Sequence, residues 1–201
     1  MMIQEIEKYA KENNIPIMMP DGIDYLCDII KKRNIKNILE IGTAIGYSAI
    51  KMAMVSDDIN ITTIEKDRDR YNIAIDNIKK MNLDSRINVI LGDAIDTLVD
   101  DKFDLIFIDA SKGHNIDFFE KYKNNLFDGG IIVTDNLSFH GLVEDESKAI
   151  TKNQKGLVKK IKKFINFLDI NKEFDTDYVS VGDKISISMR KEVRNIYGEK
   201  E

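Results

Sequence analysis

The order of apolar and polar residues predicts a doubly wound α/β fold: a mostly parallel sheet of seven strands, helices on both faces, and an antiparallel hairpin at the C-terminal end. Three observations carry that reading. Residues 38–48 read Ile-Leu-Glu-Ile-Gly-Thr-Ala-Ile-Gly-Tyr-Ser. This is a short apolar run, a glycine turn and the start of a helix, the opening unit of a nucleotide-type αβ fold. Strand-length apolar runs then alternate with helical periodicities as far as Asp135. An acid or amide closes nearly every run: Glu40, Glu65, Asp93, Asp109 and the pair Asp135-Asn136.

Each element follows from its pattern. Ile3, Ile6 and Tyr9 at spacing three predict a short amphipathic helix over 2–13. Pro16 and Pro20, the only prolines, stiffen residues 15–21, a connection placed to cover a ligand ahead of a helix over 22–32. A helix over 48–55 follows the opening strand. A second strand spans 59–64 and ends at Glu65. A helix over 67–81 carries Tyr71, Ile75 and Ile78 on one face. Strands are expected at 87–91 and 103–108, and the unbroken apolarity of the latter implies burial on both faces. A helix over 116–126 and a strand over 131–134, opened by Gly129-Gly130, complete the alternation. After a long lysine-rich helix, strands over 174–181 and 184–190 flank Gly182-Asp183, a two-residue hairpin turn, so one strand should run antiparallel to the rest.

With 201 residues, the chain is expected to form one domain over 1–201. Hydrophobic content of 43% beside 32% charged residues is ordinary for a soluble globular protein. No apolar run approaches the roughly 20 residues that span a bilayer. The N-terminal Met-Met-Ile-Gln-Glu-Ile-Glu-Lys has early acids and no apolar core, unlike a signal peptide. The single cysteine, Cys27, excludes an intrachain disulfide, fits a reducing cytoplasm, and reads as a packed thiol. A net charge of −5 gives no overall attraction to nucleic acid. The last half-dozen residues are expected to be disordered.

In open αβ sheets ligands bind at the carboxyl ends of the strands, so the closing acids share one rim. The loop Gly42-x-x-x-Gly46 is not the dinucleotide fingerprint, whose three glycines crowd a pyrophosphate. Glu40, two residues before Gly42, suits a ligand without phosphate and with a cationic amino-acid end, such as S-adenosylmethionine. The same glycines also fit close packing of helix on strand. Glu65, 19 residues after Gly46, is where an acid would take ribose hydroxyls, and Asp93-Ala94 is placed for an adenine amine. Asp109, Asp135 and Asn136 offer hard oxygen ligands of the kind that suit Mg²⁺. Lys112, one turn beyond Asp109, is a candidate base beside such a cation or a solvated helix-start lysine. His114 and His140 read as polar pocket walls.

These motifs together resemble the catechol O-methyltransferase-like family of class I methyltransferases over essentially the whole chain. The resemblance rests on residues 38–49, Glu65, Gly92-Asp93-Ala94, Asp109-Ala110-Ser111-Lys112 and Asp135-Asn136. It implies a Rossmann-like class I methyltransferase fold, with cofactor contacts at Met18, Glu40, Gly42, Ser48, Glu65, Asp93, Ala94 and Asp109. It further implies metal ligation by Asp109, Asp135 and Asn136, with Lys112 and Asp109 at the catalytic positions, and a homodimer. The sequence is most similar to the bacterial branch, through the lysine-rich segment 152–164 and the ending Val-Gly-Asp-Lys-Ile-Ser-Ile-Ser, and resembles the tRNA 5-hydroxyuridine methyltransferases. The chain begins at what resembles the family's second helix, which bears on the substrate pocket and the dimer interface.

The resulting expectation is a Mg²⁺-dependent O-methyltransferase using S-adenosylmethionine, with tRNA wobble 5-hydroxyuridine as acceptor. Catechol and 5-hydroxyuridine both offer two adjacent oxygens, so the metal site does not choose between them. The lysines bear on that choice. Residues 147–168 hold seven lysines and no acid, and Lys155, Lys159 and Lys163 could meet tRNA phosphates or form a solvated helix face. The alternatives are a small-molecule catechol or caffeoyl-CoA-like O-methyltransferase and, further off, a non-enzymatic nucleoside-binding module.

Overall fold

The computed structural model describes residues 2–191. Seven strands form one sheet in the order β3-β2-β1-β4-β5-β7-β6. They are β1 (Asn37–Ile41), β2 (Asn60–Glu65), β3 (Ile87–Leu91), β4 (Phe103–Ile108), β5 (Leu126–Thr134), β6 (Phe174–Val179) and β7 (Ile185–Arg190). Pairs among β1 to β5 are parallel, and β7 runs antiparallel to both β5 and β6. Among the described residues only β7 is therefore reversed, in line with the hairpin pattern.

The helices are α1 (Ile3–Glu12), α2 (Pro20–Lys32), α3 (Tyr47–Ala53), α4 (Arg68–Lys80), α5 (Asn115–Tyr122) and α6 (Lys152–Asp169). Strand alternation sends Ile38 of β1 to one face and Leu39 and Ile41 to the other, so the sheet has two cores. On the first face Ile38, Leu105 and Phe107 meet α1 to α4 through residues such as Ile23, Leu26, Ile50 and Ile78. On the second, Leu39, Ile106 and Ile132 meet the aromatic side chains of α5 and α6, chiefly Phe119 and Phe164. Burying one such side chain stabilises the fold by about 1.5–3 kcal/mol, so these faces dominate the energetics.

Local chemistry sets the helix starts. Pro20 occupies the first helical position of α2, where a missing N–H costs nothing. The Asp67 carboxylate accepts from the Asp69 and Arg70 amides at 3.0 Å and caps α4. Thr151 and Gln154 form a reciprocal capping box at the start of α6.

Two expectations shift. β5 begins at Leu126 and not after Gly129-Gly130, because its register with β4 slips: Phe103 pairs with Leu126, and Leu105 with Ile131. Gly129, at φ +77°, lies inside that irregularity. The β6–β7 turn is also longer than two residues, spanning 180–184. Its residues are drawn away to neighbours: the Gly182 amide donates to Asp21 at 3.0 Å and Asp183 accepts from the His140 amide at 2.6 Å. The expected disorder at the extreme C-terminus lies outside the described residues.

Candidate active site

The ends of β1 to β5 converge on a cavity of about 500 Å³, walled by Pro16 to Met19 on one side and by Leu157 of α6 on another. The position is the one sheet topology favours. At one end lies the glycine loop. Gly42 has φ +103°, and a Cβ there would sit 2.4 Å from the Asp109 carbonyl oxygen, so only glycine lets the loop close on the end of β4.

Glu65 reaches this end from β2. One carboxylate oxygen accepts from the Ala44 amide at 2.7 Å and the other from the Asp67 amide at 2.9 Å. The carboxylate is thus held in place while lining the cavity, with lone pairs left for a diol. Asp93 accepts from the Ile95 amide at 3.0 Å, and the neighbouring Ala94 carbonyl takes the Tyr122 hydroxyl at 2.7 Å, which pins this loop to α5. Met18, Gly42, Ser48, Glu65, Asp93, Ala94 and Asp109 all line the cavity.

Glu40 does not. It is wholly buried behind the wall, and its two oxygens accept from the Ser48 hydroxyl and, at 2.6 Å, from the Thr63 hydroxyl. Its carboxylate meets the cavity through Ser48, which lines it. Its parity along β1 matches that of Ile38, which turns it toward the α3 face and under the loop. Burial, aided by the Asp109 and Glu65 carboxylates and opposed by the two hydroxyls, raises its carboxyl to about 7.

The other end of the cavity holds a cluster of charged groups. Lys112 Nζ lies 2.7 Å from Asp109 Oδ1, and both side chains are largely shielded from solvent. Asp135 is buried beside them. Its Oδ2 accepts from the Asn136 amide at 2.9 Å, while its Oδ1 is buried with no hydrogen-bond partner. Burial first, then repulsion from Asp109, raises the Asp135 carboxyl to about 7 against the pull of Lys112.

The segment after β5 walls this end of the cavity with Phe139 and His140. Both residues, like Asn136, adopt positive φ (50°, 57° and 63°), a strained geometry for non-glycine residues. The 180–184 turn holds them there: the Leu137 amide donates to the Lys184 carbonyl and the Ser138 amide to the Asp183 carbonyl, both at 2.9 Å. His114 and His140 do line the cavity, and His114 Nδ1 lies 2.9 Å from Asp117.

Several contributors were not singled out in the sequence. Thr43 and Thr63 lie in ordinary strand and loop positions and carry no spacing signal. Asp183 sits in what reads as a plain hairpin turn, and Leu157 reads as the apolar face of a lysine-rich helix. Phe139 had one sequence cue, its place between Asn136 and Gly141 in a loop after a strand end.

The magnesium centre needs correction. Among the described residues no group of three or more His, Cys, Asp or Glu side chains converges as metal ligands. The expected set is two carboxylates and one amide, so Mg²⁺ dependence has no full ligand cluster behind it.

This strand order, its single reversed strand and a cavity with an anchored acid at the end of β2 define a class I S-adenosylmethionine-dependent methyltransferase. The O-methyltransferase family profile matches residues 1–191, and the chain belongs to that family. A caffeoyl-CoA O-methyltransferase of Stellaria longipes is 30% identical over 203 residues, covering 94% of this chain and 83% of that protein. A Staphylococcus aureus structure, provisionally assigned as a caffeoyl-CoA O-methyltransferase, is 34% identical with a TM-score of 0.91, covering 95% of this chain and 93% of that one. A Bacillus cereus O-methyltransferase, solved in complex with S-adenosylhomocysteine, is 27% identical with a TM-score of 0.80, covering 94% and 90%.

These relatives overturn the resemblance to tRNA 5-hydroxyuridine methyltransferases and the expectation of a tRNA acceptor. Lys155, Lys159 and Lys163 are exposed along α6, and they return to the reading of a solvated helix face.

Proposed function

We propose that the protein methylates a hydroxyl of a small catechol- or caffeoyl-CoA-like acceptor. The observation that carries this is the shielded Lys112–Asp109 pair, which lines the same cavity as Glu65 and Asp93. When bound, S-adenosylmethionine supplies an electrophilic methyl group on a sulfonium. Glu65 would hold the ribose diol, Asp93 and Ala94 the adenine, and the Gly42–Ser48 loop the amino-acid end. An acceptor hydroxyl beside Asp109 would meet Lys112, whose neutral amine takes the hydroxyl proton as the O–C bond forms and the methyl–sulfur bond breaks to leave the neutral thioether, and Asp109 then holds the resulting ammonium. Phe139, His140 and Leu157 offer a ring-sized wall that excludes water and orients a flat acceptor.

A single catalytic domain, a homodimer and a cytoplasmic location belong to the same proposal. Sedimentation checks the second. The activity is tested by methyl transfer from labelled S-adenosylmethionine to caffeoyl-CoA, free caffeate and catechol. No transfer to any of them, with S-adenosylhomocysteine still bound, would reject the acceptor class.

A further inference from the structure

Asp183 is a buried acid with no part in the proton transfer. It is only 5% exposed, yet it lines the cavity together with Phe139 and His140. Two bonds fix its position: its carbonyl takes the Ser138 amide at 2.9 Å, and its Oδ1 takes the His140 amide at 2.6 Å. Oδ2 receives no hydrogen bond among the described residues. Buried carboxylates are normally paired. Here no cation of the wall supplies the partner. Among the described residues the one basic side chain within 4 Å is His140, whose own ring is 76% exposed and whose Nδ1 lies 3.9 Å from Oδ1. Lys184, the next residue, turns away to Glu144 at 3.3 Å and over the Tyr178 ring. Lys112 is engaged by Asp109. Asp21 brings a second carboxylate to the same turn, on the Gly182 amide.

We infer that Asp183 is a specificity-determining residue: the oxygen that His140 leaves free receives an O–H or N–H donor on the tail of the acceptor, and it rejects acceptors whose tail ends in a carboxylate. An anionic tail would meet a like charge in a place where little water screens the two. The inference rests on the acceptor lying against the Phe139–His140 wall, and it narrows the proposed acceptor class. Free caffeate falls outside it, whereas a thioester, in which that carboxylate is masked, does not.

Asp183→Asn tests it with almost no change in shape. The amide oxygen must stay on the His140 N–H, because two donors repel. The NH₂ end therefore takes the free position and offers a donor where the carboxylate offered an acceptor. The wall keeps its anchor while the preference changes sign. The probes are three catechols that differ only in whether a two-carbon tail ends in an ammonium, a hydroxyl or a carboxylate. Methyl transfer from labelled S-adenosylmethionine gives kcat/KM for each, and calorimetry gives the affinity of each for the complex with S-adenosylhomocysteine.

The wild type should favour the ammonium and hydroxyl tails over the carboxylate roughly ten- to a hundredfold, the size of one charge-assisted hydrogen bond. In Asp183→Asn that preference should vanish or reverse, and the carboxylate probe should improve outright. A purely structural Asp183 would give equal losses on all three probes together with a lower Tm, and that result would overturn the inference. If the wild type methylates all three alike, the role given to Asp183 fails while the acceptor class stands. If it neither binds nor methylates any of them, the acceptor class fails and this inference with it.

Discussion

Replacing Gly42 with alanine puts a methyl group where the structure has no room for one. The new Cβ would lie 2.4 Å from the Asp109 carbonyl oxygen, 2.9 Å from its carbon and 3.2 Å from Ala110 Cα. An ordinary contact needs about 1 Å more, and every neighbour is backbone, so no rotamer relieves the overlap. The loop cannot swing freely, because the Gly42 and Thr43 amides both donate to the Ile64 carbonyl at 3.0 and 3.3 Å. The φ of +103° adds strain of about 1–3 kcal/mol for a non-glycine residue. Together we expect a loss of about 2–3 kcal/mol, lowering Tm by roughly 4–12 °C for a chain of this size. A 1 Å displacement of the loop should also cost about a hundredfold in kcat/KM. Thermal unfolding and steady-state kinetics measure both. Gly156→Ala is the control: Gly156 lies in α6 with nothing within 4 Å of an added Cβ, so that variant should gain up to about 1 kcal/mol. A Gly42→Ala protein with unchanged Tm and kinetics would refute the claim that this close approach shapes the site.

Lys112→Met should lower kcat by about 10²–10⁴-fold while leaving S-adenosylhomocysteine affinity within a few-fold, as calorimetry and initial rates would show. Glu65→Gln should weaken cofactor binding by roughly ten- to a hundredfold, since it disturbs both the ribose site and the Ala44 anchor; unchanged affinity would place the ribose elsewhere. Glu40 and Asp135, each raised to about 7, bind protons in the folded state that the unfolded chain releases near pH 4. Their contribution to stability is present at low pH and lost as pH rises through about 7. Urea unfolding should therefore show stability falling from pH 5 to pH 8, with Glu40→Gln removing on the order of 3 kcal/mol of that slope. The triple change of Lys155, Lys159 and Lys163 to Gln should leave methylation of a small catechol within about twofold at any salt concentration, because exposed charges are screened.

The alternation of strand and helix was readable because most strands are buried on both faces and most helices on one. Sequence periodicity reports that difference directly. The strand-end acids were legible as a set, yet their individual aims were not. Glu65 and Glu40 both close apolar runs, but Glu65 faces the cavity and Glu40 turns under the loop. Parity along β1, counted from Ile38, holds part of the answer, but the partners Ser48 and Thr63 come from other elements and only the fold brings them together. The hairpin turn was misjudged for a similar reason. Gly182-Asp183 is a good local signal for a tight turn, and local preference lost to tertiary bonds from Asp21 and to His140. The lysines of α6 show the opposite error, in which a conspicuous surface feature suggested a partner that the relatives do not support.

The 180–184 turn also bears on the order in which the chain can assemble. It bonds to Asp21 at the start of α2 and to the segment after β5, joining residues as far as 161 positions apart. The Gly42–Asp93 end of the cavity draws mainly on the first half of the chain, whereas the Phe139–His140 wall is bonded to Asp183 and Lys184. Closing so long a loop is entropically slow, and it comes after the more local strand and helix contacts. During synthesis the Gly42–Glu65 end of the cavity is made before the Phe139–His140 wall, whose bonds to Asp183 and Lys184 wait for the final hairpin.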